Sequence, residues 1–189
     1  MKKFILATLF LFNFAPSLYA EDWTFLKDTP KTAPHYGIAI VAGSSDLDKH
    51  DSSGDLYGVE LSFDCQYAKA SEHTIRQQLS LTKFNKGSLD MYTLEANPHY
   101  MYQLESNTYF GIGPSLGLAY ADGDSLDHFL VTMGLGASLK KDITEELFLD
   151  LEARTVYATE RDADNFRVVA KIGYYYHDLF KGKTVRDLF

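Results

Sequence analysis

The sequence predicts an all-β fold, an eight-stranded antiparallel up-and-down β-barrel that crosses a membrane. Three observations lead to this prediction. Successive segments alternate with a period of two, the second face of these segments is small or charged, and the chain opens with an export signal. Alternation over a whole segment indicates a strand with two unlike faces. A membrane barrel turns its apolar face to lipid and its polar face inward, and closure of the sheet satisfies its backbone groups.

The alternation is clearest in three segments between residues 109 and 157. They read YFGIGPSLGLAY, FLVTMGLGASLK and LFLDLEARTVY. In the first two, large apolar residues alternate mainly with Gly, Ala, Ser and Thr. In the third, leucines alternate with Asp150, Glu152 and Arg154. Small residues suit a crowded, curved interior, and opposite charges can neutralise each other there. The alternative interpretation of the alternation is a water-soluble antiparallel barrel or sandwich with a dry interior.

Residues 1–20 have the features of a secretory signal peptide. Lys2 and Lys3 precede the apolar run FILATLFLFNFA, and Ala20 ends a sequence close to a small-x-small cleavage site. The run is too short for a transmembrane helix. We expect 21–34 to form a periplasmic lead-in. Loss of two lysines lowers the formal net charge from −8 to −10, which argues against nucleic acid as a partner.

The same periodicity places the remaining strands in order. We predict strands at 35–43, 55–66, 73–84, 89–103, 109–120, 129–140, 147–157 and 166–177. Pro98 predicts a bulge or local break in the fourth strand, because proline cannot donate a ladder hydrogen bond. The barrel therefore covers 35–177, and 178–189 is predicted to be a periplasmic tail. An even number of strands puts both chain ends on the periplasmic side.

The connections between these strands are predicted to alternate between the two sides of the membrane. We expect extracellular loops at 44–54, 85–88, 121–128 and 158–165. We expect periplasmic turns at 68–72, 104–108 and 140–146. Turn-forming residues are common in the polar connections, which supports their assignment as loops.

The inward-facing positions predict a polar network inside the barrel. Its members are Glu60, Asp64, Arg76, Glu95, His99, Asp150, Glu152, Arg154, Arg167 and Lys171. Buried charges are costly unless they are paired, so we expect ion pairs and hydrogen bonds among them. The interior of an eight-stranded barrel is only wide enough for side chains, which favours a structural role. A narrow channel for ions or protons remains an alternative.

The segments YFGIGPSLGLAY and LVTMGLGASLKKDITEELFLDLEAR resemble the outer-membrane β-barrel superfamily of OmpA/OmpX-type and opacity-type proteins. In that family a glycine-alternating strand pair precedes a short polar turn and a strand of L-x-L-E-x-R character, here Leu149, Leu151, Glu152 and Arg154. The resemblance is best over 90–176. Family members usually end on a strand whose last residue is Phe, whereas KGKTVRDL before Phe189 lacks alternation.

The resemblance implies a place in the bacterial outer membrane. It also implies contacts with outer-membrane lipid and lipopolysaccharide, with the barrel-insertion machinery, and with an unidentified surface ligand. Members of the family include adhesins, stabilising proteins and uncharacterised antigens, so the resemblance indicates architecture more strongly than activity. We predict a structural or surface-interaction role in the envelope.

Enzymatic activity is the alternative, because some eight-stranded barrels modify lipid A. The deacylase type resembles a His-x-Ser arrangement on a lipid-facing strand, and among the six histidines His50 alone has Ser two positions later, at Ser52 in the predicted loop 44–54. The palmitoyltransferase type uses His, Asp and Ser in surface loops, and 44–54 contains Asp48, His50, Asp51 and Ser52. These are also ordinary loop residues. We predict that the protein is not an enzyme.

Acidic loops raise the question of a metal site. Asp122, Asp124 and Asp127 lie in one loop, and Asp46, Asp48 and Asp51 lie in another. Calcium prefers clusters of oxygen ligands, but neither stretch matches the twelve-residue calcium loop. We predict no metal and no cofactor. The single cysteine, Cys65, excludes an internal disulfide.

Overall fold

The computed structural model describes residues 36–47, 52–69, 73–123, 126–159 and 163–176. The predicted signal peptide at 1–20, the lead-in at 21–34 and the tail at 178–189 lie outside the described residues. The strands are β1 Tyr36–Leu47, β2 Ser52–Lys69, β3 His73–Lys86, β4 Leu89–Ala96, β5 His99–Glu105, β6 Thr108–Gly123, β7 Leu126–Asp142, β8 Leu147–Ala158 and β9 Asn165–Tyr176. The described residues include no candidate for a membrane-crossing helix.

The strands form one closed antiparallel barrel. Each strand of the wall pairs with its neighbours in the chain, and β1 also pairs with β9, which closes the sheet. β4 and β5 are two halves of one wall position, because both lie between β3 and β6. The predicted eight-stranded barrel is therefore confirmed, and so is the predicted break at Pro98.

The barrel has two rims. The hairpin rim carries the β3–β4 turn, where Gly87 has a φ of 58°. Glycine adopts this left-handed conformation easily, which allows the two-residue turn between β3 and β4. The terminal rim carries Tyr36 and Tyr176, the outer ends of β1 and β9.

The strands reach further toward the hairpin rim than the sequence predicted. The predicted loop 44–54 is wrong at both ends, because the ladder continues from Ser44↔Asp55 to Leu47↔Ser52. The predicted loop 121–128 is likewise reduced, since β6 and β7 pair as far as Gly123↔Leu126. Ladder hydrogen bonds come from the backbone, so polar side chains do not end a strand when the neighbouring strand continues. The other connections are also shorter than predicted, at 70–72, 87–88, 106–107, 143–146 and 159–164.

The two faces of the wall differ in composition. Outward side chains between the rims are mostly large and apolar, and Ile40 and Leu116 expose 65% and 61% of their surface. Inward side chains are mostly buried and fall into three layers. An apolar layer lies at the hairpin rim, charged residues fill the middle, and aromatic rings with two cations lie toward the terminal rim.

Candidate functional site

The ten residues predicted for the interior network all lie on the inward parity of their strands. Nine of them are buried, and Asp64 is half-buried. They come from β2, β3, β4, β5, β8 and β9, whereas β6 and β7 contribute glycines at the same level. The barrel brings eight of the ten into one central network. The central network consists of Glu60, Glu95, His99, Asp150, Glu152, Arg154, Arg167 and Lys171.

Lys171 on β9 is one centre of this network. Its Nζ lies 2.7 Å from Glu60 Oε2 and 2.6 Å from Glu152 Oε2. Asp150 Oδ2 is further away, at 3.7 Å. One ammonium group therefore faces carboxylates from two other strands, β2 and β8. This arrangement offsets part of the desolvation cost of three buried acids.

Arg154 on β8 is the second centre. Its Nη1 donates to Glu95 Oε1 at 3.1 Å and to Asn97 Oδ1, while its Nη2 pairs with Glu152. The other oxygen of Glu95 accepts a hydrogen bond from Arg167 Nη1 at 2.9 Å. Glu152 thus joins Lys171 to Arg154, and Glu95 joins Arg154 to Arg167. The charged chain crosses the lumen from β2 to β4.

His99 contacts Ser138, but this pair does not have the arrangement of a nucleophile and its base. His99 Nε2 lies 3.5 Å from Arg154 Nη2, and a guanidinium can only donate. Nε2 must therefore accept, which leaves the proton on Nδ1. In this tautomer Nδ1, which lies 3.2 Å from Ser138 Oγ, donates to the hydroxyl. A general base needs the opposite tautomer, with an unprotonated nitrogen facing the hydroxyl.

Glycines on β6 and β7 provide the space for these side chains. A Cβ on Gly113 would lie 1.9 Å from the Pro98 carbonyl oxygen and 2.8 Å from His99 Cδ2. A Cβ on Gly136, the partner of Gly113 across the two strands, would lie 3.0 Å from Arg154 Nε. The alternating glycines of the sequence therefore leave space in the lumen for the side chains of Arg154 and His99.

The other two predicted residues, Asp64 and Arg76, belong to a separate layer near the terminal rim. Arg76 Nη1 pairs with Asp64 Oδ1 at 3.2 Å, and its guanidinium lies 5.2 Å from the ring centroids of both Phe148 and Tyr175. Lys140 Nζ lies 5.0 Å from the Tyr175 ring and donates to its hydroxyl. Arg76, Lys140, Phe148 and Tyr175 form the aromatic–cation layer.

The site prediction did not include Lys140, Phe148 or Tyr175. All three lie on the inward parity of their strands, so the alternation itself carried the signal. For Phe148 and Tyr175 the aromatic character favoured a place in the aromatic girdles at the membrane interfaces over a place in the interior. Cation–π contacts with buried cations explain why the rings face inward instead.

The expectation of a polar interior is wrong at the hairpin rim. A cluster of buried apolar side chains, the apolar plug, fills the lumen there. The apolar plug consists of Leu47, Phe84, Met91, Ala119, Ala121, Leu130 and Ala163. The outward positions beside it carry the exposed rings of Tyr92, Tyr120 and Phe129, and the outward positions nearest the rim are polar and include Asp46, Asp55, Asp90 and Asp122. Apolar inside and polar outside is the pattern of a barrel wall in water.

The lumen contains little free space at the level of the central network. A cavity of ≈ 20 Å³ lies among the charged residues and is bordered toward the hairpin rim by Val41, Leu56 and Val169. That volume has room for about one water molecule. Within the described ranges, no group of three or more His, Cys, Asp or Glu residues is arranged to hold a metal ion. Asp48, His50, Asp51 and Asp124 lie outside these ranges.

The fold is similar to that of several solved small barrels. Ail, the attachment invasion locus protein of Yersinia pestis, matches with a TM-score of 0.54 and 11% identity, over 75% of this chain and 96% of that chain. Ail has also been solved in complex with the heparin analogue sucrose octasulfate, with a TM-score of 0.53 and 12% identity over the same shares of the two chains. Neisserial surface protein A matches with a TM-score of 0.52 and 15% identity, over 76% of this chain and 97% of that chain.

A third neighbour is an enzyme. The outer-membrane enzyme PagL matches with a TM-score of 0.51 and 17% identity, over 74% of this chain and 97% of that chain. No protein-family model matches the sequence, and no curated protein matches it. At these identities the comparisons concern the fold alone. The chain has the fold of the small eight-stranded outer-membrane β-barrels.

Proposed function

We propose that the chain is an integral outer-membrane β-barrel with a structural or surface-interaction role in the bacterial envelope. The observation that carries this proposal is the reversal of the wall pattern along the barrel axis. Between the rims the outward face is apolar and the interior charged, whereas beyond the exposed rings of Tyr57, Tyr92 and Tyr120 the outward face carries Asp55, Asp90 and Asp122 and the interior is apolar. A wall that passes from lipid into water has this reversal.

The height of the apolar belt supports membrane insertion. Exposed aromatic residues lie ten positions apart on three strands or broken strands: Tyr92 and Tyr102, Phe110 and Tyr120, and Phe166 and Tyr176. Ten residues extend about 34 Å along a strand. With the usual tilt of membrane-barrel strands, this gives a belt about 25 Å tall between two aromatic girdles.

In this proposal the hairpin rim is extracellular and the terminal rim periplasmic. Both outer strand ends, Tyr36 and Tyr176, lie at the terminal rim, and barrels of this class insert from the periplasm with both ends on that side. The proposal includes removal of 1–20 on export, 21–34 as a lead-in, and 178–189 as a periplasmic tail. It also includes insertion by the cell's barrel-insertion machinery.

The interior supports a closed barrel in preference to a channel. The central network spans the lumen with ion pairs from β2, β4, β8 and β9. The apolar plug and the aromatic–cation layer cover it on either side. An ion crossing the barrel would have to break these pairs and then pass an apolar layer, which opposes conduction.

Enzymatic modification of lipid A is the second candidate; it is favoured by the His-x-Ser spacing of His50 and Ser52 and by the likeness of the fold to that of PagL, an outer-membrane enzyme. The His99–Ser138 pair does not support it, because a His99 whose Nε2 accepts from Arg154 carries its proton on Nδ1, the nitrogen that faces the serine. Lipid A mass spectra from strains with and without the gene distinguish the two candidates. We expect identical spectra, and an acyl-chain difference would favour the enzyme.

The negative charge of exposed aspartates at the hairpin rim affects which surface ligand the barrel can bind. Ail binds a polysulfated heparin analogue, whereas Asp46, Asp55 and Asp122 here are outward and exposed. These carboxylates disfavour a polyanion and favour cationic partners or lipopolysaccharide bridged by divalent cations. The partners proposed here are therefore outer-membrane lipid, lipopolysaccharide and an unidentified surface ligand.

Heat-modifiability of the protein in the outer-membrane fraction tests the proposed function. We expect the unboiled protein to migrate faster than the boiled protein on a denaturing gel, because a closed barrel stays folded in detergent. Recovery in the soluble periplasmic fraction, with no difference between boiled and unboiled samples, would contradict the proposal.

A further inference from the structure

Two prolines face each other across the wall near the middle of the apolar belt. Between β4 or β5 and β6, the register runs from Ala96↔Leu116 to Tyr100↔Ile112 without a shift. Pro98 is therefore directly opposite Pro114. Both prolines are on the outward parity, and Pro114 lies four residues from Phe110 and six from Tyr120.

The hydrogen-bonding direction shows which bonds are missing. The N–H of Asn97 donates to Gln78 O on β3 at 2.8 Å. Backbone groups alternate in direction along a strand, so the backbone nitrogen of Pro98 faces β6. Pro98 and Pro114 thus occupy a pair that would normally exchange two hydrogen bonds. Neither residue has an N–H, so neither bond can form.

We call the pair formed by Pro98 and Pro114 across the wall the proline seam. The opposite edge of β6 has no such gap in its backbone pairing. On its other side β6 pairs with β7 in one unbroken register from Thr108↔Lys141 to Gly123↔Leu126. In lipid there is no water to replace a lost backbone hydrogen bond, so the cost of the missing pair is high. The proline seam is therefore a weak line in the wall.

One interior side chain holds both flanks of the proline seam. Asn97 and His99 are the residues on either side of Pro98, and their side chains point inward. Arg154 donates to Asn97 Oδ1 and contacts His99 Nε2 at 3.5 Å. Arg154 comes from β8 and is itself ion-paired with Glu95 and Glu152. It connects the interrupted strand to the far wall through the lumen.

We propose that the proline seam is a lateral opening point of the barrel, and that Arg154 keeps it closed from the inside. Opening separates β4 and β5 from β6 between the two prolines and brings the central network within reach of the bilayer. This inference goes beyond the proposed function, because a barrel with a purely structural role needs no weak line in its wall.

Hydrogen–deuterium exchange of the refolded barrel in detergent micelles tests the proposal directly. The probes are the backbone amides of Ala96, Tyr100, Ile112 and Leu116, which surround the proline pair. In the double variant Pro98→Ala and Pro114→Ala both donors return, and we expect these amides to exchange about tenfold or more slowly than in the parent. Unchanged exchange at these four amides would overturn the proposal.

A second pair of variants tests the role of Arg154. Arg154→Lys keeps the charge but cannot reach Asn97 and His99 together, so we expect faster exchange at the seam amides than at those of β1 and β9. Arg167→Lys is the matched control, since Arg167 contacts Glu95 and Asn165 and neither flank of Pro98. Equal acceleration in all strands would mean a general loss of stability and would overturn the role of Arg154.

Combining the substitutions separates opening from folding. If Arg154 acts on the proline seam, the two alanines should restore slow exchange in the Arg154→Lys background. An absence of rescue would overturn the link between Arg154 and the seam. If Arg154→Lys does not refold, the double alanine variant alone still decides whether the prolines create the opening point. None of these readouts depends on outer-membrane location, so failure here is distinguishable from failure of the proposed function.

Discussion

At the scale of single residues, the interior is organised around a few cations that each contact several acids. Lys171 faces three carboxylates, and Arg154 contacts two carboxylates and two neutral side chains. A charged group is costly to bury alone, and its contribution to the stability of the fold depends on every partner being present. Removal of a shared cation therefore affects stability more than removal of a surface charge.

The first prediction concerns Lys171. Lys171→Met leaves Glu60, Asp150 and Glu152 buried without their common cation, so we expect the free energy of unfolding to fall by about 3–5 kcal/mol. Lys141→Met, at an exposed position near the terminal rim, should change it by less than about 0.5 kcal/mol. Urea titrations of the refolded barrel measure both. Equal urea midpoints of unfolding for the two variants would contradict a stabilising role for the central network.

The second prediction compares two facing glycines. Gly113→Ala places a methyl group 1.9 Å from a backbone carbonyl oxygen, whereas Gly136→Ala meets the side chain of Arg154 at 3.0 Å. Backbone yields less easily than a side chain, so we expect Gly113→Ala to be the more destabilising, by about 1–3 kcal/mol. The same urea titration ranks them. A larger loss for Gly136→Ala would show that the charged network is the more rigid neighbour.

At the scale of strands, the wall pattern reverses along the length of a single element. β1 has apolar Ile38 and Ile40 outward near its start, and polar Ser44 and Asp46 outward near its end. A strand that passes from lipid into water needs apolar outward residues in its lipid-facing part and polar outward residues in its water-facing part. The sequence prediction ended β1 at residue 43, because it treated the polar half as a loop.

The third prediction follows from this reversal. Leu116→Arg introduces a charge in the middle of the apolar belt and should cost about 2–4 kcal/mol in a bilayer. Asn85→Arg, which is outward and exposed beside the hairpin turn, should cost about 1 kcal/mol or less. Folding titrations in lipid vesicles measure the difference. In a water-soluble barrel both positions are surface sites, so equal and small effects would reject membrane insertion.

At the scale of the whole molecule, three interior layers close a lumen that eight strands make narrow. The apolar plug lies at one rim and the aromatic–cation layer toward the other, with the central network between them. Eight strands leave an interior that side chains can fill completely. Closure of the lumen is therefore a property of the assembled barrel and not of any one strand.

The fourth prediction tests this closure. The parent barrel in a planar bilayer should give no discrete conductance steps, since an ion would meet paired charges and an apolar layer. The variant Phe84→Ala, which opens the apolar plug, should remain closed as well, because the central network still crosses the lumen. Regular steps from the parent protein would favour the narrow channel instead.

The sequence by itself determined the closed barrel, the parity of its strands and the position of the break at Pro98. Period-two alternation is a local property, and the missing donor of Pro98 is a property of one residue, so both are readable without a structure. The ten interior residues were also found by parity. Their partners were not, because Arg154 contacts Asn97 from 57 positions away in the chain.

Tertiary structure alone decided the register between strands, and with it the contacts that matter most here. Only register places Pro98 opposite Pro114, Gly113 opposite Gly136, and Lys171 within reach of carboxylates on β2 and β8. Barrel closure also decided that the lumen is apolar at the hairpin rim, where strands continue above the belt. Alternation gives each side chain a face, but only the pairing of strands around a closed wall gives it neighbours.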